Sequence, residues 1–475
     1  MEALPKSVDY GEPLGILPSG TENYNVTCYA SNGSSFQAGN QIIVDLNNVG
    51  YLDPASLSIR YKLTLTTPLQ ANAQAAGTSY SIPGCPVYTP ILRLDTLFNS
   101  NVVESINNYN SVATALSNLN WSISDKMGMQ SGLGYYEQLY GACSAGGIVS
   151  GLTDYSTTNE NTDGLTAIII NAAATTTATN LVYYLSAPLP SLLTNAEKLV
   201  PLNGTNIRLQ FTLDSLSNVC PTATTTIGAA APTQGGAFAA YSISNFEVVY
   251  NQIQFPPQVE RQILSMPKIR IKTSSYATGL QTLGSGVSGT VNLVYNLRYA
   301  SIKAMLLLMG SSSANGTNKL LESIDMTSGG SVTGTAIGGG SYNFQCNGVY
   351  YPQNPLSTYN NRGGVLMELR RAMRNMYSGN SSMSIDNSEW LRGDTNVATT
   401  ATSINVPAKF YVGVNTQKMD SPALFTGISS QNSPITAIVN IGSLPTQLIY
   451  SPILMLYYDA IIEMDVQTKQ VNFIY

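Results

Sequence analysis

The chain has no histidine. That one absence removes Ser-His and Cys-His nucleophile pairs, HExxH zinc sites and imidazole acid-base catalysis together. Charge is scarce as well: Lys plus Arg number 22 and Asp plus Glu 27 among 475 residues, or 10% of the chain. An ordinary soluble domain carries about 25%. With a net charge of −5 and a pI near 4.9, no stretch collects the Lys and Arg needed to neutralise a phosphate backbone, so direct nucleic-acid binding is not expected. The five cysteines, Cys28, Cys85, Cys143, Cys220 and Cys346, stand singly with no CxxC spacing, which argues against zinc ribbons and redox pairs and fits synthesis in a reducing compartment. The first 30 residues hold no apolar h-region, and the longest apolar runs, Ala304 to Met309 and Ile453 to Tyr458, are only strand-sized. Neither a signal peptide nor a membrane insertion is therefore expected. No P-loop, GxGxxG turn or EF-hand spacing occurs, and no cofactor or metal is expected.

The missing charge is replaced by Ser, Thr, Asn, Gln, Gly and 29 tyrosines. Tyrosine and threonine are good strand residues, and interface cores are enriched in Tyr and depleted in Lys, Glu and Asp. The composition thus fits both a strand-rich protein and a surface contacted by copies of itself.

The chain also carries an internal repeat. The apolar alternation from Val182 to Leu216 matches Phe410 to Leu444 at an offset of 228 (182 to 410). Within it Ile207, Leu209, Phe211 and Leu213 fall opposite Ile435, Ala437, Val439 and Ile441. Alternation with period two puts one strand face in a core and the other toward water. Ser244 to Tyr250 matches Ser451 to Tyr457 at an offset of 207, which assigns about 21 extra residues to the Thr-, Ala- and Gly-rich stretch Pro221 to Ala240. Ala55-Ser56-Leu57 matches Ala300-Ser301-Ile302 at an offset of 245. Three blocks in one order indicate a strand-rich unit written twice, and 475 residues suit two domains of a little over 200 each.

The expected division is an extended N-terminal arm over residues 1–35, a first unit over 36–266 and a second over 267–475. Strands are expected at Ile42–Leu46, Leu57–Leu65, Pro90–Phe98, Ile269–Ile271, Val291–Leu297, Ser301–Met309, Phe410–Val414, Pro434–Ile441, Ile453–Tyr458 and Ala460–Asp465. Helical spacing marks Asn108–Asn118, with Asn110 or Ser111 as N-cap, and Val365–Tyr377, where Arg370, Arg371 and Arg374 favour the C-terminal dipole. Phe255–Leu264 reads as a stiff connection between the units. Gly132–Thr179, Pro221–Ala240, Gly310–Gly340 and Asp394–Thr402 read as long loops. About eight strands per unit in two facing sheets make an all-β fold of two tandem eight-stranded jelly rolls with short helices.

Carboxylate chemistry survives the lack of histidine in principle, but Asp45, Glu104, Asp325, Glu368 and Asp420 are isolated and read as solvated or strand-edge charges. No catalytic residue is expected, and the chain does not read as an enzyme. Arg392-Gly393-Asp394 is a candidate attachment motif, although a tight turn explains Gly393 equally well.

Two stretches carry a family resemblance. Ile91-Leu92-Arg93-Leu94 through Asn101-Val102-Val103-Glu104-Ser105-Ile106-Asn107-Asn108-Tyr109-Asn110 resembles the strand and "iE.i.nYN" helix start of double jelly-roll major capsid proteins. Phe410-Tyr411-Val412-Gly413-Val414-Asn415, with Leu424-Phe425-Thr426-Gly427-Ile428, resembles the "F.iG.dL…l.sG" segment of the same group, Asn415 standing where many members have Asp. The chain is similar to capsid proteins of polinton-like viruses, virophages, adintoviruses and larger eukaryotic DNA viruses, with adenovirus hexon more distant. The resemblance implies a virion protein whose homotrimers form pseudo-hexameric capsomers tiling an icosahedral shell. Its implied partners are itself, neighbouring capsomers, and penton and minor capsid proteins. The competing readings are a tandem β-sandwich adhesin or lectin-like surface protein, and a β-sandwich enzyme on carbohydrate; the first should carry a secretory signal, the second a convergent carboxylate pair.

Overall fold

Ile207, Leu209, Phe211 and Leu213 are buried, while Arg208, Gln210 and Thr212 between them are half covered, and 228 positions on Ile435 to Ile441 repeat the same pattern. The matching strands sit at equivalent places in two sandwiches of the same topology. The computed structural model describes residues 18–66, 78–80, 82, 84–122, 125, 129–134, 168–170, 180–220, 226–227, 238–284, 287, 289–313, 318–319, 321, 323, 325, 340–358, 360–376, 384–385, 390, 395–398, 403–406, 409–418, 425–441 and 448–475.

The first sandwich is built from β1 (Glu22–Tyr29), β2 (Gln41–Asp45), β3 (Ser58–Thr66), β4 (Ile91–Phe98), β5 (Asn101–Asn107), β6 (Asn180–Pro188), β7 (Ile207–Leu213) and β8 (Ala240–Gln254). The second uses β9 (Lys268–Leu280), β10 (Gly289–Tyr295), β11 (Ile302–Ser313), β12 (Ser341–Cys346), β13 (Val349–Ser357), β14 (Val412–Asn415), β15 (Ile435–Ile441) and β16 (Leu448–Asp465). Strands pair antiparallel in the orders β1-β8-β3-β6 and β2-β7-β4-β5, and again β9-β16-β11-β14 and β10-β15-β12-β13. Each set is a jelly roll, and strand n of the first corresponds to strand n plus eight of the second.

Register makes the correspondence residue by residue. Leu185 pairs with Tyr61 in the first roll and Gly413 with Leu306 in the second, so the offsets of 228 (185 to 413) and 245 (61 to 306) hold together. The third offset needs correction. Glu247 pairs with Arg60 and Leu456 with Met305, which sets β8 against β16 at 209 (247 to 456), not 207. A slip of two residues keeps every side chain on its face, and alternation is blind to it.

Helices occupy the same place in each roll. α1 (Tyr109–Asn120) follows β5, α2 (Pro257–Leu264) joins the rolls between β8 and β9, and α3 (Arg362–Met376) follows β13. The cap of α1 is not Asn110 or Ser111 but Asn108, held at φ 50° in the left-handed region that asparagine tolerates. Asn110 instead donates to the Asp214 carboxylate at 2.8 Å, inside the roll.

The stretch expected as an arm to Ser35 includes β1, paired with β8 from Glu22 opposite Gln254 to Tyr29 opposite Glu247. Of its eight residues only Cys28 is buried, so no alternation marks it. β5, β12 and β13 were also absent from the expected strands, and Ile453–Tyr458 and Ala460–Asp465 form one 18-residue strand, β16. Most of the four expected loops lies outside the described residues, but Thr395–Ala398, inside Asp394–Thr402, is a strand paired antiparallel with Ser403–Val406, and β11 runs past Gly310 to Ser313.

Aromatic contacts fill both sandwiches: Phe211 lies 4.8 Å and Tyr61 5.7 Å from Phe246, and Tyr276 meets Tyr457 at 5.5 Å. The buried apolar residues of the two rolls join into one cluster.

Close approach constrains two glycines of the motif segment, by a side chain at Gly413 and by backbone at Gly427. A Cβ on Gly413 would stand 2.6 Å from Leu306 Cδ1, and one on Gly427 would stand 2.2 Å from the Ile302 carbonyl oxygen, where Ile428 bridges to Ile302. Backbone cannot yield as a side chain can. Gly427→Ala is expected to lower stability by about 1–3 kcal/mol, read as an earlier denaturant midpoint; an unchanged midpoint would remove the close approach as a constraint.

Candidate assembly interface

Thr273, Ser274, Ser275, Tyr276 and Ala277 on β9 are all buried, although consecutive strand residues point to opposite faces. One face belongs to the second roll's own core. The other is covered by the first roll, whose edge strand β5 lies along β9 without pairing into its sheet.

The junction centres on Glu104, 2% exposed in the middle of β5. Its Oε1 accepts from the Leu192 backbone N–H at 2.8 Å and from the Ser275 hydroxyl across the junction, and its Oε2 accepts from Thr96 Oγ1 at 2.9 Å. Burial pushes this carboxyl up from its usual 4.5 to about 7; the three hydrogen bonds oppose that shift and the nearby Asp95 adds to it. Burial also raises the Tyr109 and Tyr458 phenols, and Glu104 contributes to both.

Around this carboxyl the rolls exchange further bonds. Thr273 Oγ1 donates to Leu192 O at 2.6 Å, Asn195 Nδ2 to Ser274 O at 3.0 Å, and Thr278 Oγ1 to Asn107 O at 2.6 Å. Lys272 Nζ lies 3.2 Å from the Glu197 carboxylate, and Asn118 on α1 donates to the Tyr411 hydroxyl at 2.9 Å. At the end of β16, Asn99 Nδ2 bonds Lys469 O at 2.8 Å and Lys469 Nζ bonds Asn203 O at 3.3 Å. All twelve residues of α1 are buried, and none carries charge.

The two rolls differ on one equivalent face. On β3 the core takes Ile59, Tyr61, Leu63 and Leu65, leaving Arg60 and Lys62 on the outer face beside Tyr184 of β6 and Glu247 of β8. The corresponding residues of the second roll are Met305, Leu307, Val412 and Leu456, all buried. The second roll's sheet is thus apolar on both faces. In the first roll the same outer face is open, with Tyr29 66% and Tyr184 48% exposed. Sequence carried a signal for this: Ala304–Met309 and Ile453–Tyr458 are unbroken apolar runs, the mark of a strand buried on both sides.

The other singled-out carboxylates are separate. Asp45 pairs with Arg208 at 2.6 Å, Asp325 is buried 3.9 Å from Arg362, and Glu368 pairs with Arg371. Asp420 and the candidate attachment residues Arg392, Gly393 and Asp394 lie outside the described residues. Cys28, Cys85, Cys220 and Cys346 are buried thiols, and burial pushes Cys220 up to about 12, which leaves it unreactive at neutral pH; Cys143 is outside the described residues. Among the described residues no three Cys, Asp or Glu are grouped to hold a metal ion, and no helix is long and apolar enough to cross a membrane.

No protein-family profile and no curated protein matches the chain. Solved structures do. The Sputnik virophage structure aligns over 100% of this chain and 92% of its own, with a TM-score of 0.58 and 13% identity. The mavirus major capsid protein aligns over 100% and 96%, at 0.54 and 12%. The PBCV-1 virus capsid protein aligns over 97% and 98%, at 0.55 and 11%. At such identities the likeness is one of fold, and it extends over both rolls.

The Glu104 carboxyl makes stability depend on pH with a definite sign. Because its pKa in the folded chain lies above the free value, its contribution is full below about pH 4.5, falls between about 4.5 and 7, and is gone above that range. The span corresponds to about 3 kcal/mol. Glu104→Gln is expected to remove this dependence, so that the variant outlasts the parent in thermal melts at pH 8–9 and loses that advantage at pH 5. Parallel pH profiles for the two proteins would sink the assignment.

Proposed function

We propose that the chain is the major building block of a viral shell, a capsid protein whose three copies form a six-sided capsomer that tiles an icosahedral particle. The observation that carries this reading is the tandem jelly roll with its internal junction, in which the β5 edge of one roll is buried against the β9 edge of the next. A contact of this kind is head-to-tail: it joins two different edges, so it can be repeated by a further copy and closes into a ring when the rotation permits. Two rolls per chain make a three-chain ring six-sided. The full-length likeness to the Sputnik virophage structure, the mavirus major capsid protein and the PBCV-1 virus capsid supports the same reading.

The work in this reading is self-association, and the features that suit it are mechanical. Buried aromatic cores keep each roll rigid, the hydrogen-bonded junction fixes the angle between rolls, and the low surface charge of a 10%-charged chain reduces repulsion between neighbours. The implied partners are further copies of the chain, with penton and minor capsid proteins at special positions of the particle. The place of action is the virion, and no catalytic role is assigned.

Purified protein is expected to show the mass of three chains in light scattering or native mass spectrometry, and hexagonal blocks or shells in electron micrographs. A chain that stays single at high micromolar concentration, above all one that binds glycans in that form, would overturn the reading.

A further inference from the structure

Charge is scarce in this chain, yet a lysine and an aspartate lie together inside the second roll. The Lys303 side chain on β11 is 13% exposed and that of Asp459 on the neighbouring strand β16 is 2% exposed, with Nζ 2.7 Å from Oδ1. The fold does not require them. At offsets of 245 for β11 and 209 for β16, the first roll holds Ser58 and Tyr250 at the same places. Taking two charges out of water is costly, and a buried pair repays it only where the geometry is good and the remaining lone pairs are satisfied. Here they are not. Nζ touches Oδ1 without the alignment of a hydrogen bond, and that oxygen has no hydrogen-bond partner.

Several contacts hold the two groups in this position. Ile302 faces Tyr458 and Ala304 faces Tyr457, so Lys303 is the extra residue of a bulge in the β11–β16 ladder. Its carbonyl accepts from the Thr416 N–H at 2.8 Å, and the Asp459 N–H donates to Ser301 O at 3.0 Å. The Lys303 ammonium lies 5.4 Å from the centre of the buried Tyr457 ring, which walls one side of the contact. On the other side the Gly427 N–H donates to Ser301 Oγ at 2.9 Å, and this turns the Ser301 hydroxyl hydrogen toward Asp459 Oδ2, 2.8 Å away.

We propose that Lys303 and Asp459 condense into an amide, an internal cross-link between β11 and β16 made from the ion pair itself. All the atoms are present: an ammonium and a carboxylate become one amide and one water. A proton passes from Nζ to Oδ1 across their contact, the freed amine attacks Cγ, and Oδ1 leaves as water with a second proton from the nitrogen. Oδ2 carries the negative charge of the tetrahedral intermediate, stabilised by the Ser301 hydroxyl, and becomes the amide oxygen. No oxidant, metal or cofactor enters the step. Groups held in contact react as one molecule, with effective molarities of about 10⁵–10⁸ M in well-oriented cases, and a site that excludes water disfavours the reverse hydrolysis. The product ties together the two central strands of the sheet that is apolar on both faces. It concerns the folded chain alone and stands or falls apart from the shell reading.

Mass spectrometry of the full-length protein under denaturing conditions tests the proposal. The parent is expected 18 Da below the mass of its sequence, and digestion is expected to release a branched peptide joining Lys303 to Asp459. Denaturant dissolves an ion pair and leaves an amide, so the branched peptide should survive unfolding. Lys303→Arg is expected at its full sequence mass. A parent at full sequence mass, with Lys303 and Asp459 recovered on separate peptides, overturns the proposal, and so does a loss of 18 Da that persists in Lys303→Arg. The parent alone can decide the matter, so the outcome does not hang on how well the variant folds.

Discussion

Everything in this molecule depends on one sheet that is apolar on both faces. A jelly-roll sheet needs only one apolar face, because its other face meets water. The sheet β9-β16-β11-β14 buries Leu306 and Met455 toward its own core and Met305, Leu307, Leu454 and Leu456 on the opposite side. Leaving a side chain of that size exposed costs about 1.5–3 kcal/mol. Several such residues together exceed a sizeable part of the 5–15 kcal/mol that holds an ordinary domain folded. The second roll is therefore not an independent domain joined by a linker. Along β9 and β16 its outer face is covered by the first roll, at Thr273, Ser275 and Met464, while α3 packs against β11 and β14, and the buried apolar residues of both rolls form one continuous cluster.

This dependence runs in one direction. The first roll exposes Arg60 and Tyr184 where the second buries Met305 and Val412. The two equivalent surfaces meet different physical demands: one is sealed within the folded chain, the other faces water. The same strand topology answers both, because alternation separates the inner face, which is held constant by the core, from the outer face, which is free to change. β7 and β15 show the constant part, with the same buried and half-covered positions over seven residues. β3 and β11 show the variable part.

Much of the fold was legible because of that constant face. The two strongest blocks were located with correct offsets, and the pairing of Leu185 with Tyr61 and of Gly413 with Leu306 follows from them. What escaped were three edges and one interior strand, β12. β1, β5 and β13 carry Asn, Pro and Tyr without alternation, because an edge strand half wrapped by a neighbour or by water has no single buried face to advertise. The junction escaped for a different reason. Glu104 looked like one isolated carboxylate among five, and its place between the rolls is a relation among Thr96, Leu192 and Ser275, residues up to 171 positions apart from it in the chain. The nearest local sign was the pair of unbroken apolar runs, which distinguishes a strand covered on both sides from a half-buried one without saying what covers it.

A carboxyl at the centre of such a junction is less stabilising than an aliphatic residue of similar volume, since desolvation opposes its charge. Its value lies in position. The β5–β9 contact has no backbone pairing to set its register, and apolar side chains alone would let one edge slide along the other. Glu104 accepts from a backbone N–H on one oxygen and from hydroxyls on both, and two of its three donors belong to the first roll while the third, Ser275, belongs to the second. Sliding by one residue would leave that carboxyl buried without Ser275, at a cost of about 1–3 kcal/mol for the lost partner. Hydroxyls can also turn from donor to acceptor, so the network stays satisfied whether or not the carboxyl holds its proton. Glu104 thus acts with the Thr273, Asn195 and Thr278 hydrogen bonds in fixing the angle between the two rolls, without demanding a counter-ion.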